Sequence, residues 1–391
     1  MTKIIDSCLC CESKNLKLVL NLNSQPLANS YLKSIENYEE KFPLSINYCP
    51  DCTHIQLTHS VDSEKLFKNY IYVSGTTKTL KEYFDWFVTF TENYTKEKNI
   101  LDIACNDGSQ LDSYKKSGYN TYGIDPAENL YKISSKNHSI ICDYLTYNSI
   151  KKFNTTFDVI VAQNVFAHNS YPKQFLEICK SKLKNNGYIF IQTSQADMIL
   201  NNQFDTIYHE HISYFSVKSF CSLVEKVGLN VVDVYRTPIH GTSFVFVLSK
   251  CDKDNSEILI KNEVELSLEM MISYAESCKK LSVDIRNKIK ELKHNDYKII
   301  GYGAAAKGNT FINFSKIDLE YIVDDNKLKQ NLYSPGSKIP IFSPNKLIEE
   351  DSKICIIPLS WNFFDEIREN VNSLKLKEVI FLKYFPKIEI I

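Results

Sequence analysis

Asn99-Ile100-Leu101-Asp102-Ile103-Ala104-Cys105-Asn106-Asp107-Gly108 is an apolar strand that runs into a turn of small and polar residues. Three more apolar runs follow, separated by helical stretches: Thr121-Tyr122-Gly123-Ile124-Asp125, Phe157-Asp158-Val159-Ile160-Val161 and Gly187-Tyr188-Ile189-Phe190-Ile191. Strands alternating with helices at this spacing predict a parallel α/β sheet covered on both faces. In such a doubly wound sheet, ligands bind beyond the carboxyl ends of the strands.

The turn after the first strand is therefore the first place to look for a cofactor site. Enzymes that bind S-adenosylmethionine often carry an acid and then alternate glycines here, and this chain keeps only Gly108. The backbone must turn tightly to approach the cofactor's amino-acid end. Asn106 adopts positive φ more readily than most residues, and Ala104 adds little bulk. Asp102, Cys105, Asn106, Asp107 and Gly108 are candidate contacts. Asp125 closes the next strand where a carboxylate can bind two ribose hydroxyls. Asp143, near adenine, and Asn164, at the same sheet edge, complete the cofactor set. By itself the loop fits any doubly wound domain.

Upstream, the chain to about Val73 is rich in Asn, Ser, Cys and Pro and too short in apolar residues to build a core unaided. Cys8-x-x-Cys11 and Cys49-x-x-Cys52 have the paired spacing that closes four thiolates around zinc. A zinc ion with four protein ligands keeps no open position, so its role is to hold the small domain together. The bland alternative is four unrelated core cysteines. Cys10 could replace Cys8 or Cys11, but the x-x spacing favours the outer two.

Downstream, Gly and Pro are absent between Gly241 and Gly301, and Leu266, Met270, Tyr274 and Leu281 recur at helical spacing. One long helix, with room for one break, fits. Tyr297 to Gly303 then reads as a strand, followed by a small-residue turn, a helix, and a strand ending in Asp324. Expected units are thus 1–75, 76–252, a helical connection 253–295, and 296–391. Gly301-Tyr302-Gly303-Ala304-Ala305-Ala306-Lys307-Gly308-Asn309-Thr310 resembles a phosphate-approach turn, although the Walker order is missing. Tyr302, Lys307 and Asn309 are its candidate substrate contacts. Small residues that only pack helix on sheet are the alternative.

Lysine plus arginine (46) nearly balances aspartate plus glutamate (47), which disfavours nucleic acid or an anionic membrane as partner. The N-terminus carries no secretion signal, and no stretch approaches the roughly 20 apolar residues of a membrane span. A cytoplasmic protein, monomeric or weakly oligomeric, is expected. Its other cysteines are read as reduced, mostly buried thiols.

Phe204-Asp205-Thr206-Ile207-Tyr208-His209-Glu210-His211-Ile212-Ser213-Tyr214-Phe215 packs two histidines, two tyrosines and two acids directly after the fourth strand. Extended, it would set His209 and His211 on one face, Tyr208 and Glu210 on the other. Asn164-Val165-Phe166-Ala167-His168 brings a third histidine to the same sheet edge. The cluster suits proton chemistry; His-x-His without a third ligand is weak evidence for a metal. An aromatic loop with merely hydrogen-bonded histidines is the bland reading.

Read together, these segments resemble the sugar C-methyltransferase family, whose members methylate a ring carbon of nucleotide-linked 4-keto deoxysugars. The likeness runs through Pro26-Leu27-Ala28-Asn29-Ser30, Cys105 to Gly108, Gly123 to Ala127, Asn164 to His168, Tyr208 to Ser216, His240-Gly241, Gly301 to Thr310 and Ser334-Pro335-Gly336. The family has Gly where Ala104 stands, and His-Gly-Gly-Ser where this chain reads His240-Gly241-Thr242-Ser243. The resemblance implies a zinc-binding N-terminal domain on Cys8, Cys11, Cys49 and Cys52. It implies a central class I S-adenosylmethionine-dependent methyltransferase domain and a C-terminal Rossmann-like α/β domain that helps hold the substrate nucleotide. It makes His211 the base, with Tyr208, Glu210, His168 and Tyr70 or Tyr72 lining the sugar pocket.

That chemistry suits the residue types. A sugar carbon becomes a nucleophile only after losing a proton, which is feasible beside a ketone, and an imidazole near its ordinary pKa of about 6.5 can take it. Tyrosine or histidine donors would then stabilise the enolate oxygen. The rivals are a nucleotide-sugar epimerase or isomerase that stops at the enolate, an O- or N-methyltransferase, and a zinc-scaffolded binding module without catalysis.

Overall fold

The computed structural model describes residues 2–67, 75, 78–193, 196–237, 243–251 and 266–391. Tyr70, Tyr72, His240, Gly241 and residues 253–265 of the expected connection lie outside the described residues.

The four predicted strands form the middle of a seven-stranded sheet, in the order Asn230–Thr237, Ser243–Ser249, Leu183–Thr193, Phe157–Gln163, Asn99–Ile103, Asn120–Ile124, Ser139–Ile141. Neighbours run parallel except around Ser243–Ser249, which is antiparallel to both of its partners. Helices cover both faces, so Phe157 to Ala162 and all of Ser243–Ser249 are buried. That is why these strands read as continuous apolar runs instead of alternating ones. From Asn99–Ile103 the chain winds outward to Ser139–Ile141 and then crosses back to Phe157–Gln163. The switch point lies between the strands that carry Asp102 and Asn164, where ligands enter an open α/β sheet.

The N-terminal sheet is antiparallel, in the order Lys17–Pro26, Lys41–Tyr48, Ile55–Leu57, Ser213–Tyr214. Its last strand comes from beyond the fourth strand of the central sheet, so the sheet crosses the expected boundary near residue 75. Its buried side chains, among them Leu20, Leu44 and Ile46, belong to one cluster with Met271 and Ile285 of the long helix and Ile312 of the C-terminal unit. The small domain thus borrows its core.

The long helix, Leu268–His294, is unbroken, and Ser267 caps it by accepting the Met270 amide. Behind it stands a six-stranded sheet, Ile341–Phe342, Tyr321–Val323, Lys298–Tyr302, Ile354–Pro358, Val379–Lys383, Glu389–Ile390, parallel except for the last strand. This is the expected Rossmann-like unit, with its own switch point at Tyr302.

The turn after Asn99–Ile103 places Ala104 (φ 60°), Asn106 (φ 52°) and Gly108 (φ 85°) in the left-handed region. Asn106 takes the role expected of it, but Ala104 adopts the same conformation. A side chain there costs about 1–2 kcal/mol, while a glycine loosens the unfolded chain by about 0.4–1 kcal/mol. Ala104→Gly should therefore raise stability to urea by up to about 1.6 kcal/mol with cofactor binding retained. Reduced stability would contradict the strain assigned to this turn.

Candidate active site

The histidine segment is not extended. Phe204–Thr206 forms a short helical turn, and Tyr208 to His211 then reverses in a second turn closed by the His211 amide on the Tyr208 carbonyl at 2.9 Å. The turn corrects the face assignment made for an extended chain: Tyr208 and His211 meet, and His209 points elsewhere. The Tyr208 hydroxyl lies 2.7 Å from His211 Nε2, and the two ring centroids are 4.0 Å apart. His211 Nδ1 lies 2.9 Å from the Thr206 carbonyl, which can only accept, so Nδ1 carries the proton and Nε2 the lone pair. His209 is fully buried, its Nε2 donating to the Phe42 carbonyl at 3.2 Å, and burial pushes its pKa down to about 4.

Backbone contacts then bring a second loop to the pair. The Ile212 amide donates to the Ala167 carbonyl at 2.8 Å, which places the His168 ring 5.1 Å from that of His211. Burial pushes His168 down to about 4, so it is neutral at neutral pH. Glu210 is buried and accepts from Asn29 Nδ2 at 2.6 Å. No pattern by itself marks Asn29 as a site residue; the Pro26 to Ser30 stretch, which carries part of the family resemblance, is the sequence signal for it.

At the cofactor end, Asp125 accepts the Asn106 amide at 2.9 Å and the Ala127 amide at 2.8 Å. Burial raises its pKa and those bonds oppose the rise. Burial, then the charges of Asp125 and Asp107, push Asp102 well above the usual carboxylate range. Burial likewise raises the Cys105 thiol. Asn164 holds a left-handed conformation (φ 55°), with its amide on the Gln192 carbonyl at 3.0 Å. Asp143 pairs with Lys152 at 3.0 Å. Asp107 accepts the amides of Gly75 and Ser109, and Gly108 opens the helix Ser109–Lys116, so these two shape the turn and do not line the cavity.

A single cavity of about 840 Å³ runs from Asp102, Cys105, Asn106 and Asp125, with Asp143 and Asn164 on its walls, past His168, Tyr208, Glu210 and His211 to Lys307 and Lys329. All three units contribute walls. Two of the three expected substrate contacts do not reach it. Tyr302 is buried and donates to Asp325 at 3.0 Å; Asn309 donates to the Ala28 carbonyl at 2.7 Å and ties the outer units together. Lys329, which no sequence pattern marked, does line it and donates to the Ala304 carbonyl at 2.8 Å, as Tyr31 does at 2.5 Å.

Away from the cavity, the Sγ atoms of Cys8, Cys11, Cys49 and Cys52 lie within 4.8 Å of one another. Four convergent sulfurs fit a tetrahedral zinc ion with no open position. The Cys10 thiol, raised by burial and then by Cys8, stays outside the quartet.

The comparisons with known proteins follow the same division. A zinc binding domain family matches residues 8–67, a methyltransferase domain family 77–234, and the C-methyltransferase C-terminal domain family 238–386. C-methyltransferase NovU of Streptomyces niveus is 27% identical over 387 residues, covering 94% of this chain and 92% of that protein. In all three parts the chain is similar to C-methyltransferases. A ubiquinone biosynthesis O-methyltransferase of Histophilus somni is 29% identical over 112 residues, 26% of this chain and 47% of that protein. The solved magnesium protoporphyrin IX methyltransferase of Synechocystis PCC 6803, with S-adenosylmethionine bound, covers 49% of this chain and 99% of its own at 11% identity and TM-score 0.38. The central match is thus to a methyltransferase domain, and the cysteine quartet falls inside the match to a zinc binding domain. Among the described residues, no helix is long and apolar enough to cross a membrane.

Two outcomes follow from this geometry. Cys49→Ser should abolish zinc content by elemental analysis and, because the Ile55–Leu57 strand pairs with Ser213–Tyr214, should also abolish methyl transfer. Full activity without zinc would break that link. His209 is neutral when folded, whereas the unfolded imidazole binds a proton below about pH 6.5. Its share of stability is therefore lost as pH falls from about 6.5 towards about 4, at about 1.4 kcal/mol per pH unit. His209→Gln should flatten the urea-unfolding profile between pH 5 and 6.5; an unaltered slope would show that the ring is not buried neutral.

Proposed function

We propose that this chain methylates a ring carbon, C3 or C5, beside the ketone of a nucleotide-linked 4-keto-deoxysugar, with thymidine diphosphate as the nucleotide. The observation that carries this reading is the Tyr208–His211 pair, whose accepting nitrogen faces a tyrosine hydroxyl between the cofactor turn and a two-lysine mouth.

S-adenosylmethionine supplies a methyl group already electrophilic on its sulfonium, so the protein's task is to make the nucleophile. His211, with Nδ1–H fixed on Thr206, offers Nε2 to the proton of the carbon beside the ketone. The C–H electron pair moves into the enolate, and the oxygen's charge is met by donors from Tyr208 and from His168, held neutral by burial. Glu210, fixed by Asn29, binds a sugar hydroxyl. Asp125 holds the cofactor's ribose from the end of its strand. At the other mouth, Lys307 at the start of helix Ala306–Ser315, with Lys329, takes the diphosphate. All of these groups lie on one chain, so one copy suffices, and the free thiols suit the reducing cytoplasm.

The experiment is mass spectrometry of nucleotide-linked 4-keto-deoxysugars incubated with protein and S-adenosylmethionine in heavy water. Expected are a methylene gained and deuterium exchanged into the acidic carbon of recovered substrate. His211→Asn should lose both by at least about 100-fold, a range reached by general bases, while still binding cofactor. Exchange without methyl gain would convert the reading to an isomerase; neither signal would remove the sugar assignment.

A further inference from the structure

We infer that Asp205 is a positioning residue for the proton transfer: it anchors the Thr206 carbonyl, and with it the tautomer of His211, to the C-terminal domain. The inference rests on the reading of His211 as base. Phe204, Asp205 and Thr206 form one short turn driven into that domain. Phe204 packs among Phe311, Phe314 and Phe385, with ring centroids 5.0 to 6.1 Å away. Asp205 is fully buried, and its Oδ2 accepts the Trp361 indole N–H at 2.8 Å and the Tyr384 hydroxyl at 3.4 Å. The next carbonyl, Thr206, takes His211 Nδ1–H at 2.9 Å and the Tyr214 hydroxyl at 3.2 Å. A continuous chain therefore runs from Trp361 through Asp205 and the Thr206 peptide to His211 and Tyr208.

Packing alone does not call for a carboxylate here. Its Oδ1 has no hydrogen-bond partner among the described residues, and a buried charge with an unpaired oxygen is costly. Burial raises the group to about 6, and the charge of Lys307 opposes the rise. Lys307 also sits 4.8 Å over the Trp361 ring and lines the cavity, so the anchor touches the mouth proposed for the nucleotide.

The test is Asp205→Asn in the full-length, zinc-loaded enzyme, with Trp361→Phe as a second variant that keeps the ring and removes only its N–H. For a positioning residue we expect unchanged or higher melting temperature and unchanged S-adenosylmethionine affinity by calorimetry. We expect kcat to fall about 10- to 100-fold, as when a group that orients a functional residue is removed, with KM little altered. Long-range 15N NMR of histidine-labelled protein should show His211 losing its Nδ1–H preference in both variants. Native kcat with an unchanged His211 tautomer overturns the proposal, as does loss of kcat with the tautomer intact. If the parent enzyme methylates no keto sugar, the substrate reading fails, while the NMR comparison still decides the role of Asp205.

Discussion

Ile212 is bonded through its backbone to both sides of the site. Its carbonyl accepts the Leu57 amide and its amide donates to the Ala167 carbonyl, each at 2.8 Å. Net contributions of such bonds are only about 1 kcal/mol, but leaving either group unpaired inside the protein costs about 1–3 kcal/mol, so the register is strongly held. From that register follow the strand Ser213–Tyr214 on the N-terminal sheet, the direction in which the Tyr208–His211 turn emerges, and the approach of His168. The small cysteine-bearing unit is therefore a wall of the site. It supplies Asn29 to Glu210 across the same seam. Because its core is shared with the long helix and the C-terminal sheet, the zinc cluster stabilises a surface whose other half lies elsewhere in the chain.

Features whose cause is local were legible in the sequence. The central strands are buried on both faces, so burial wrote itself as unbroken apolar runs, and the cysteine knuckles need only a two-residue gap. Gly108 and Asn106 announced a tight turn because few other residues tolerate positive φ. What escaped was set by long-range contacts. Nothing in Tyr-His-Glu-His signals a turn, with no glycine, proline or asparagine to mark it, and alternation was the natural assumption. Pairing of Ser213 with Gln56 depends on surfaces far apart in sequence. Tyr302 was placed on the right strand, but its hydroxyl is spent on Asp325; Lys329, from a loop after the next strand, reaches the cavity instead. Asp205 was visible only as one acid among several.

The electrostatics of the site follow from burial applied to unlike groups. His168 and His209 are both held near 4 by loss of solvent, but they serve different ends: one faces the cavity, the other a backbone carbonyl in the N-terminal sheet. A charged His168 at 5.1 Å from His211 would oppose the imidazolium that forms when His211 takes a proton. Burial removes that opposition without removing the N–H that can meet an enolate oxygen.

The orientation of His211 completes the argument. A carbonyl cannot donate, so the Thr206 contact forces the proton onto Nδ1, and the lone pair on Nε2 receives the Tyr208 hydroxyl. Under the proposed mechanism that hydroxyl must swing from nitrogen to substrate, which turns one hydrogen bond into two functions: it screens the base until the sugar arrives, then donates to the oxygen on which charge develops. Had Nδ1 faced a hydroxyl instead of a carbonyl, either tautomer could form, and the Nε2–H form would present the substrate with a nitrogen that cannot accept a proton. The site's proton chemistry is thus decided by a peptide group whose neighbour, Asp205, is held by the domain at the opposite mouth of the cavity.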